Sequence, residues 1–93
     1  MRSDHSRERG EAGRPVGVAF NDAQRARQGD VFIQPDDRYV VRGMKDREHI
    51  FEMAGELITS LNRSNQAHLL KLRRGERRPI TEEEFAVFQE RFK

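Results

Sequence analysis

Residues 38–61 read RYVVRGMKDREHIFEMAGELITSL, and the alternation within this stretch decides the fold. Short runs rich in β-branched and aromatic residues are separated by turn-forming residues: Tyr39–Arg42 is closed by Gly43, His49–Met53 runs to Ala54 and Gly55, and Glu56–Leu61 leads out. Upstream, Val31–Gln34 forms a further candidate strand, stopped by Pro35, Asp36 and Asp37. Connections this short suit hairpins, so the pattern predicts an antiparallel meander of three or four strands. Alternation sets the expected faces. Tyr39 and Val41 oppose Val40 and Arg42, His49, Phe51 and Met53 oppose Ile50 and Glu52, and Leu57, Thr59 and Leu61 oppose Glu56, Ile58 and Ser60.

One face is the more apolar, and the segments that follow supply its cover. Ser64–Arg74 carries Ala67, Leu69, Leu70 and Leu72 at helical spacing, starts at an N-capping Ser64 or Asn62 and ends at Gly75. A second helix begins at Thr81, where Thr81 to Glu84 fits a capping box and Ile80 with Phe85 fits a hydrophobic staple. Phe85, Phe88 and Phe92 then fall on one stripe, which reads as core. The expected architecture is a small α+β domain: a three- or four-stranded antiparallel meander followed by two C-terminal helices.

That domain occupies residues 30–93. Residues 1–29 hold six Arg and four Gly with few large apolar groups, a composition that predicts a flexible, disordered N-terminal arm in which Val16, Val18 and Phe20 are the adhesive patch. A core this small hides only about 60% of the surface its unfolded chain exposes, which makes a protein partner or a homodimer an expectation. The 93 residues include no cysteine, so no disulfide framework or thiolate metal site is available. His5, His49 and His68 lie far apart without metal-ligand spacing, and neither a metal nor a cofactor is expected. Apolar runs are too short to span a membrane.

Charge supplies the functional signal. Residues 63–78 carry a net charge of +5 within a chain of formal net charge +2. A basic block between acidic flanks attracts polyphosphate, and Lys71, Arg73, Arg74, Arg77 and Arg78 are the expected nucleic-acid-binding residues. No GxxxxGK[ST], GxGxxG or GxSxG motif occurs. A DNA-reading helix-turn-helix fits poorly, because the second helix opens with three glutamates that phosphates repel. Metal-independent RNA cleavage needs a base for the 2′-hydroxyl, an acid for the leaving 5′-oxygen and cations on the phosphate. His49, Glu52 and His68 are the candidate proton-transfer groups, although His49 and Glu52 sit on opposite sides of a regular strand.

The stretch RYVVRGMKDREHIFEMAGELITSLNRSNQAHLLKLRRGERRPITEEEF, with its short hairpins, basic helix and capped last helix, resembles the small C-terminal toxin domains of bacterial polymorphic toxin systems. The likeness extends over about residues 38–92. It implies a compact α+β ribonuclease that works without metal through His, Arg and a carboxylate or Lys, acting in a cytoplasm to which a secreted toxin delivers it. The expected activity is therefore that of a metal-independent ribonuclease, with RNA favoured over DNA. The alternative is a non-catalytic nucleic-acid-binding or protein-interaction module.

Overall fold

The structure, a computed structural model, describes residues 16–93, with side chains from residue 17. The expected arm over residues 1–15, His5 included, lies outside the described residues. Five strands form one antiparallel sheet: β1 (Val31–Ile33), β2 (Arg38–Arg42), β3 (Arg47–Glu52), β4 (Leu57–Asn62) and β5 (Arg78–Pro79), in the order β4-β3-β2-β1-β5. Three helices accompany it: α1 (Ala19–Arg25), α2 (Asn65–Arg73) and α3 (Glu82–Arg91). The α+β meander with two C-terminal helices is thus present.

The hairpins close without Asn-Gly turns. Asp37, Lys45 and Asp46 adopt positive φ at the first two connections, and Gly55 does so at the third, with φ of 105°. Aspartate tolerates this region because its short side chain bonds locally.

Three features depart from expectation. The first is that part of the arm belongs to the domain. Ala19 and Ala23, spaced i,i+4, are buried against the sheet because their small side chains let α1 approach closely. Phe20 meets Phe51 edge-on at 5.3 Å.

The second is a bulge. Ile50 pairs with Thr59 and Phe51 with Leu57, so Ile58 is an extra residue on β4. The alternation shifts by one there. Leu57 joins the face of Phe51, Ser60 stands beside His49, and Thr59 and Leu61 lie on the other face with Ile50 and Glu48. The expected grouping of Leu57, Thr59 and Leu61 is therefore split.

The third is that both faces are covered. Val31, Ile33, Tyr39, Val41, Phe51, Ile80, Phe88 and Phe92 form the larger core under α1 and α3. Phe32, Val40 and Ile50 form a smaller one under α2, with Leu72. Two-sided burial is why β2 reads as an unbroken apolar run from Tyr39 to Val41, and it covers Glu48 and His49 of β3 along with Ile50 and Phe51. β5 has no counterpart among the expected strands; it is two residues long and includes a proline, permitted at an edge.

The α3 stripe packs as expected, with Phe92 at 4.7 Å from both Phe51 and Phe88. Its capping box is complete: Glu84 N donates to Thr81 Oγ1 at 3.1 Å and Thr81 N to Glu84 Oε1 at 2.9 Å.

A polar tie fixes α1. Arg47 Nε and Nη2 donate to Asp22 at 2.7 and 3.0 Å, and His49 Nε2 lies 2.7 Å from the same carboxylate. Gly43 leaves room for it, since a Cβ there would stand 2.5 Å from Asp22 Oδ2. Gly43→Ala is expected to cost about 1–3 kcal/mol through this overlap. In an Asp22→Ala background the added cost is expected to vanish, which a double-mutant cycle of urea unfolding measures.

Candidate functional site: a buried carboxylate among arginines

The second face of the sheet carries charge where its pattern should be apolar. Glu48 on β3 shares the face of Ile50 and stands opposite Arg42 of β2. Its side chain is fully buried. Arg77, on the approach to β5, donates Nη1 to Oε1 at 2.8 Å and Nη2 to Oε2 at 3.0 Å, a two-pronged pair. Arg63, which leads from β4 into α2, donates Nε to Oε2 at 2.9 Å. Arg42 Nη1 reaches Oε1 at 3.2 Å and the Arg63 carbonyl at 2.7 Å.

The local chain explains the convergence. Arg63 N bonds the Asp46 carbonyl at 2.8 Å, which places the start of α2 beside the β2–β3 turn. Ser64 then caps α2, its Oγ accepting from Ala67 N at 3.1 Å. One turn on, His68 faces inward, its ring edge-on to Phe32 at 4.5 Å.

Arg77 Nη1 lies 3.0 Å from His68 Nδ1. A guanidinium can only donate, so Nδ1 accepts and the ring is neutral, with its proton on Nε2. Burial pushes the His68 pKa below its ordinary value, and the charges of Arg42 and Arg77 push it further in the same direction. For Glu48, burial pushes the carboxyl up, but hydrogen bonds from Arg77 and Arg63 outweigh it and hold the pKa at about 2.

Three guanidiniums thus face one buried carboxylate and a neutral imidazole, an excess of two positive charges that the exposed Asp46, 4.0 Å from Arg42 Nη2, offsets in part. Among the described residues, Arg77 Nε is the one buried side-chain polar atom without a hydrogen-bond partner. The cluster reaches solvent through Arg63 and Arg42, whose side chains are 27% and 11% exposed. An array of this kind can hold an anion, and it joins a carboxylate, an imidazole and cations, the groups that phosphodiester chemistry uses.

The residues expected to carry function are divided by this geometry. His68 and Arg77 lie within the cluster. His49 lies on the opposite face of the sheet, buried between Asp22 and Ser60, whose Oγ is 2.7 Å from Nδ1. His49 and His68 therefore do not share a site, because strand alternation turns His49 away from Glu48. The Asp22–His49–Ser60 chain has the members of a nucleophilic triad, but His49 and Ser60 are both fully buried, so the Ser60 hydroxyl is not open to solvent. Burial pushes the Asp22 carboxyl up, yet its hydrogen bonds to Arg47 and His49 hold it below the ordinary value.

Glu52 shares the face of Glu48 but stands four residues along β3, about 13 Å away, where it pairs with Arg38 at 3.5 Å. The basic hinge is largely neutralised within itself. Lys71 and Arg74 share Glu76, at 2.9 and 3.9 Å. Arg78 is forked onto Glu84 at 2.8 and 2.9 Å. Arg73 is exposed and, among the described residues, has no carboxylate at ion-pair distance. The expected open array of guanidiniums is replaced by one buried arginine and several exposed, mostly paired cations.

Glu48 and Arg42 enter the site although nothing in the basic block points to them, and Arg63, the first charge of that block, enters although it is not among the expected binding residues. The signal of Glu48 and Arg42 in the sequence is a charged pair at positions that alternation assigns to the side of Val40 and Ile50. No described group of three His, Asp or Glu side chains is arranged to hold a metal ion, and no described helix is long and apolar enough to cross a membrane. In comparisons with known proteins, the chain matches no family model, no curated protein and no solved structure.

The depressed Glu48 pKa has a thermodynamic consequence. A carboxyl whose folded pKa is about 2, against 4.5 unperturbed, stabilises the fold above the higher value and loses that contribution as pH falls toward the lower. The amount is about 3 kcal/mol. Urea unfolding followed from pH 5 to pH 2 is expected to show this loss. Glu48→Gln is expected to flatten the dependence and to cost about 3–5 kcal/mol at neutral pH, since the arginines lose their anion.

Proposed function

We propose that this protein is a metal-independent ribonuclease whose phosphodiester site is the cluster of Glu48, His68, Arg42, Arg63 and Arg77. One observation carries the reading: three guanidiniums converge on a single buried carboxylate, two more positive charges than negative in the hydrogen-bonded cluster. Among the described residues the exposed Asp46, 4.0 Å from Arg42, is the one further anion beside it. A phosphodiester carries one negative charge, and the pentacoordinate phosphorane formed when the 2′-oxygen attacks carries two. The excess therefore matches the transition state better than the ground state, which is the condition for catalysis by charge.

In this scheme Glu48 takes the 2′-hydroxyl proton, the 2′-oxygen bonds to phosphorus, and the bond from phosphorus to the 5′-oxygen breaks. His68 gives its proton to that oxygen, leaving a 2′,3′-cyclic phosphate. The incoming phosphate prepares both groups. It competes with Glu48 for the guanidiniums, raising the carboxyl toward a value at which it accepts a proton. It also takes the Arg77 Nη1 proton now donated to Nδ1, while the fork of Arg77 on Glu48 stays, and offsets the positive field at His68, so that Nδ1 can take up a proton and the imidazolium can form. DNA, lacking the 2′-hydroxyl, is bound without being cut.

A second reading has its own support. In the free protein Glu48 is fully buried with a pKa of about 2, and His68 is neutral, so neither is poised for proton transfer at neutral pH. That favours an adaptor that holds phosphate without cleaving it.

Incubating the purified chain with total RNA and a chelator separates the two. The ribonuclease predicts cleavage with cyclic phosphate ends, reduced about 10²–10⁴-fold in a folded His68→Ala variant. Binding without cleavage favours the adaptor. Absence of both at low salt overturns the phosphate site itself.

A further inference from the structure

A second group of arginines lies next to the cluster, formed in part by the segment whose composition suggests a free arm. Between the end of α1 and the β2–β3 turn is a cleft of about 320 Å³, lined by Arg25, Arg27, Arg42 and Arg47 together with Asp22 and Asp30. Both carboxylates are engaged. Asp22 holds Arg47 and His49, and Asp30 accepts from the Arg27 backbone N–H at 3.0 Å. Arg25 and Arg27 are exposed, and among the described residues neither side chain has a carboxylate at ion-pair distance.

Arg42 is a residue of both places: it lines this cleft, while its guanidinium donates to Glu48 at 3.2 Å on the other face of the sheet. The two cationic sites therefore adjoin at this residue. Leaving Arg42 to the cluster, Arg25, Arg27 and Arg47 against Asp22 and Asp30 give the cleft an excess of one positive charge, the charge of one phosphodiester. A single phosphate does not use such a pair of adjoining sites; a chain of phosphates does.

We infer that the cleft of Arg25, Arg27, Arg42 and Arg47 is a subsite for a neighbouring phosphate of a single polynucleotide strand whose first phosphate lies at the Glu48 cluster. The inference rests on reading that cluster as a phosphodiester site. It makes the preferred ligand an extended single strand rather than a mononucleotide or a dinucleotide. It also gives α1 a function beyond covering the sheet, since Asp22 fixes the helix whose last turn and following residues present Arg25 and Arg27.

The test compares wild type with Arg25→Gln/Arg27→Gln, both positions being exposed and, among the described residues, without a carboxylate at ion-pair distance. Binding of a short 2′-O-methyl RNA, which cannot be cleaved, is followed by fluorescence anisotropy across a salt series, and a dinucleoside monophosphate is titrated in parallel. The variant is expected to bind the RNA several-fold more weakly, with a salt slope smaller by about 0.7 because it neutralises one phosphate fewer. Its dinucleotide affinity is expected to match wild type. An unchanged slope for the RNA overturns the subsite while leaving the cluster reading standing. Equal weakening toward both ligands also overturns it, because the arginines would then act as a general field. If wild type binds neither ligand, the cluster reading fails and the subsite with it.

Discussion

The arrangement of the second face depends on one carboxylate that cannot be left alone. An ionised Glu48 buried without partners would cost many kcal/mol, and guanidiniums are the groups that can satisfy both of its oxygens at once. Those guanidiniums come from β2, from the junction of β4 and α2, and from the approach to β5. Satisfying Glu48 thus fixes where α2 begins and where the chain returns to the sheet. Arg77 is the furthest in sequence and the most buried of the three. Its fork onto Glu48 sets the residues that follow in register with β1, so that Arg78 pairs with Ile33 and Pro79 with Phe32.

The two faces of the sheet use histidine in opposite ways. On the first, His49 is part of a packing tie that holds α1 through Asp22 and reaches Ser60 behind it. On the second, His68 is the acceptor that takes up a donor Arg77 would otherwise leave unmatched. Adjacent residues of β3, Glu48 and His49, therefore serve two separate networks, as period-two alternation requires. The bulge at Ile58 preserves this division, because it places Ser60 rather than Thr59 beside His49.

Much of the fold is legible in residues 31–61 and 81–92, where local chemistry and burial agree. Turn residues at Pro35, Gly43 and Gly55 bound the strands, and the Thr81 box with its phenylalanine stripe announces α3. The bulge is not legible, because an extra residue leaves no mark in an alternation that reads equally well without it. Nor is α1, whose burial rests on two alanines, on one aspartate and on Gly43, a position with no side chain to read. The site is half legible. His68 and Arg77 stand out as an imidazole and part of a basic block, but Glu48 is hidden beside the more noticeable His49, Arg42 looks like an ordinary strand end, and Arg63 reads only as the first charge of that block. A charge facing the apolar side of a strand becomes visible only once cross-strand register pairs it with another.

In the phosphate site proposed above, stability and binding would draw on the same three guanidiniums, and this would set a limit on both. A site that holds its own carboxylate so firmly is compact without a ligand, but an entering phosphate has to take donors that Glu48 already uses. The excess of positive charge makes the exchange feasible: Glu48 satisfies one of the three guanidiniums in charge, and of the two that remain only Arg42 has a further carboxylate nearby, the exposed Asp46 at 4.0 Å. Arg63 and Arg42, the more exposed pair, can turn toward a ligand at the least cost in packing, whereas Arg77 stays on Glu48 and keeps the core closed. The carboxylate then acts as an internal occupant of the site, ordering the arginines before any phosphate arrives and so reducing the entropy that a ligand has to overcome on binding.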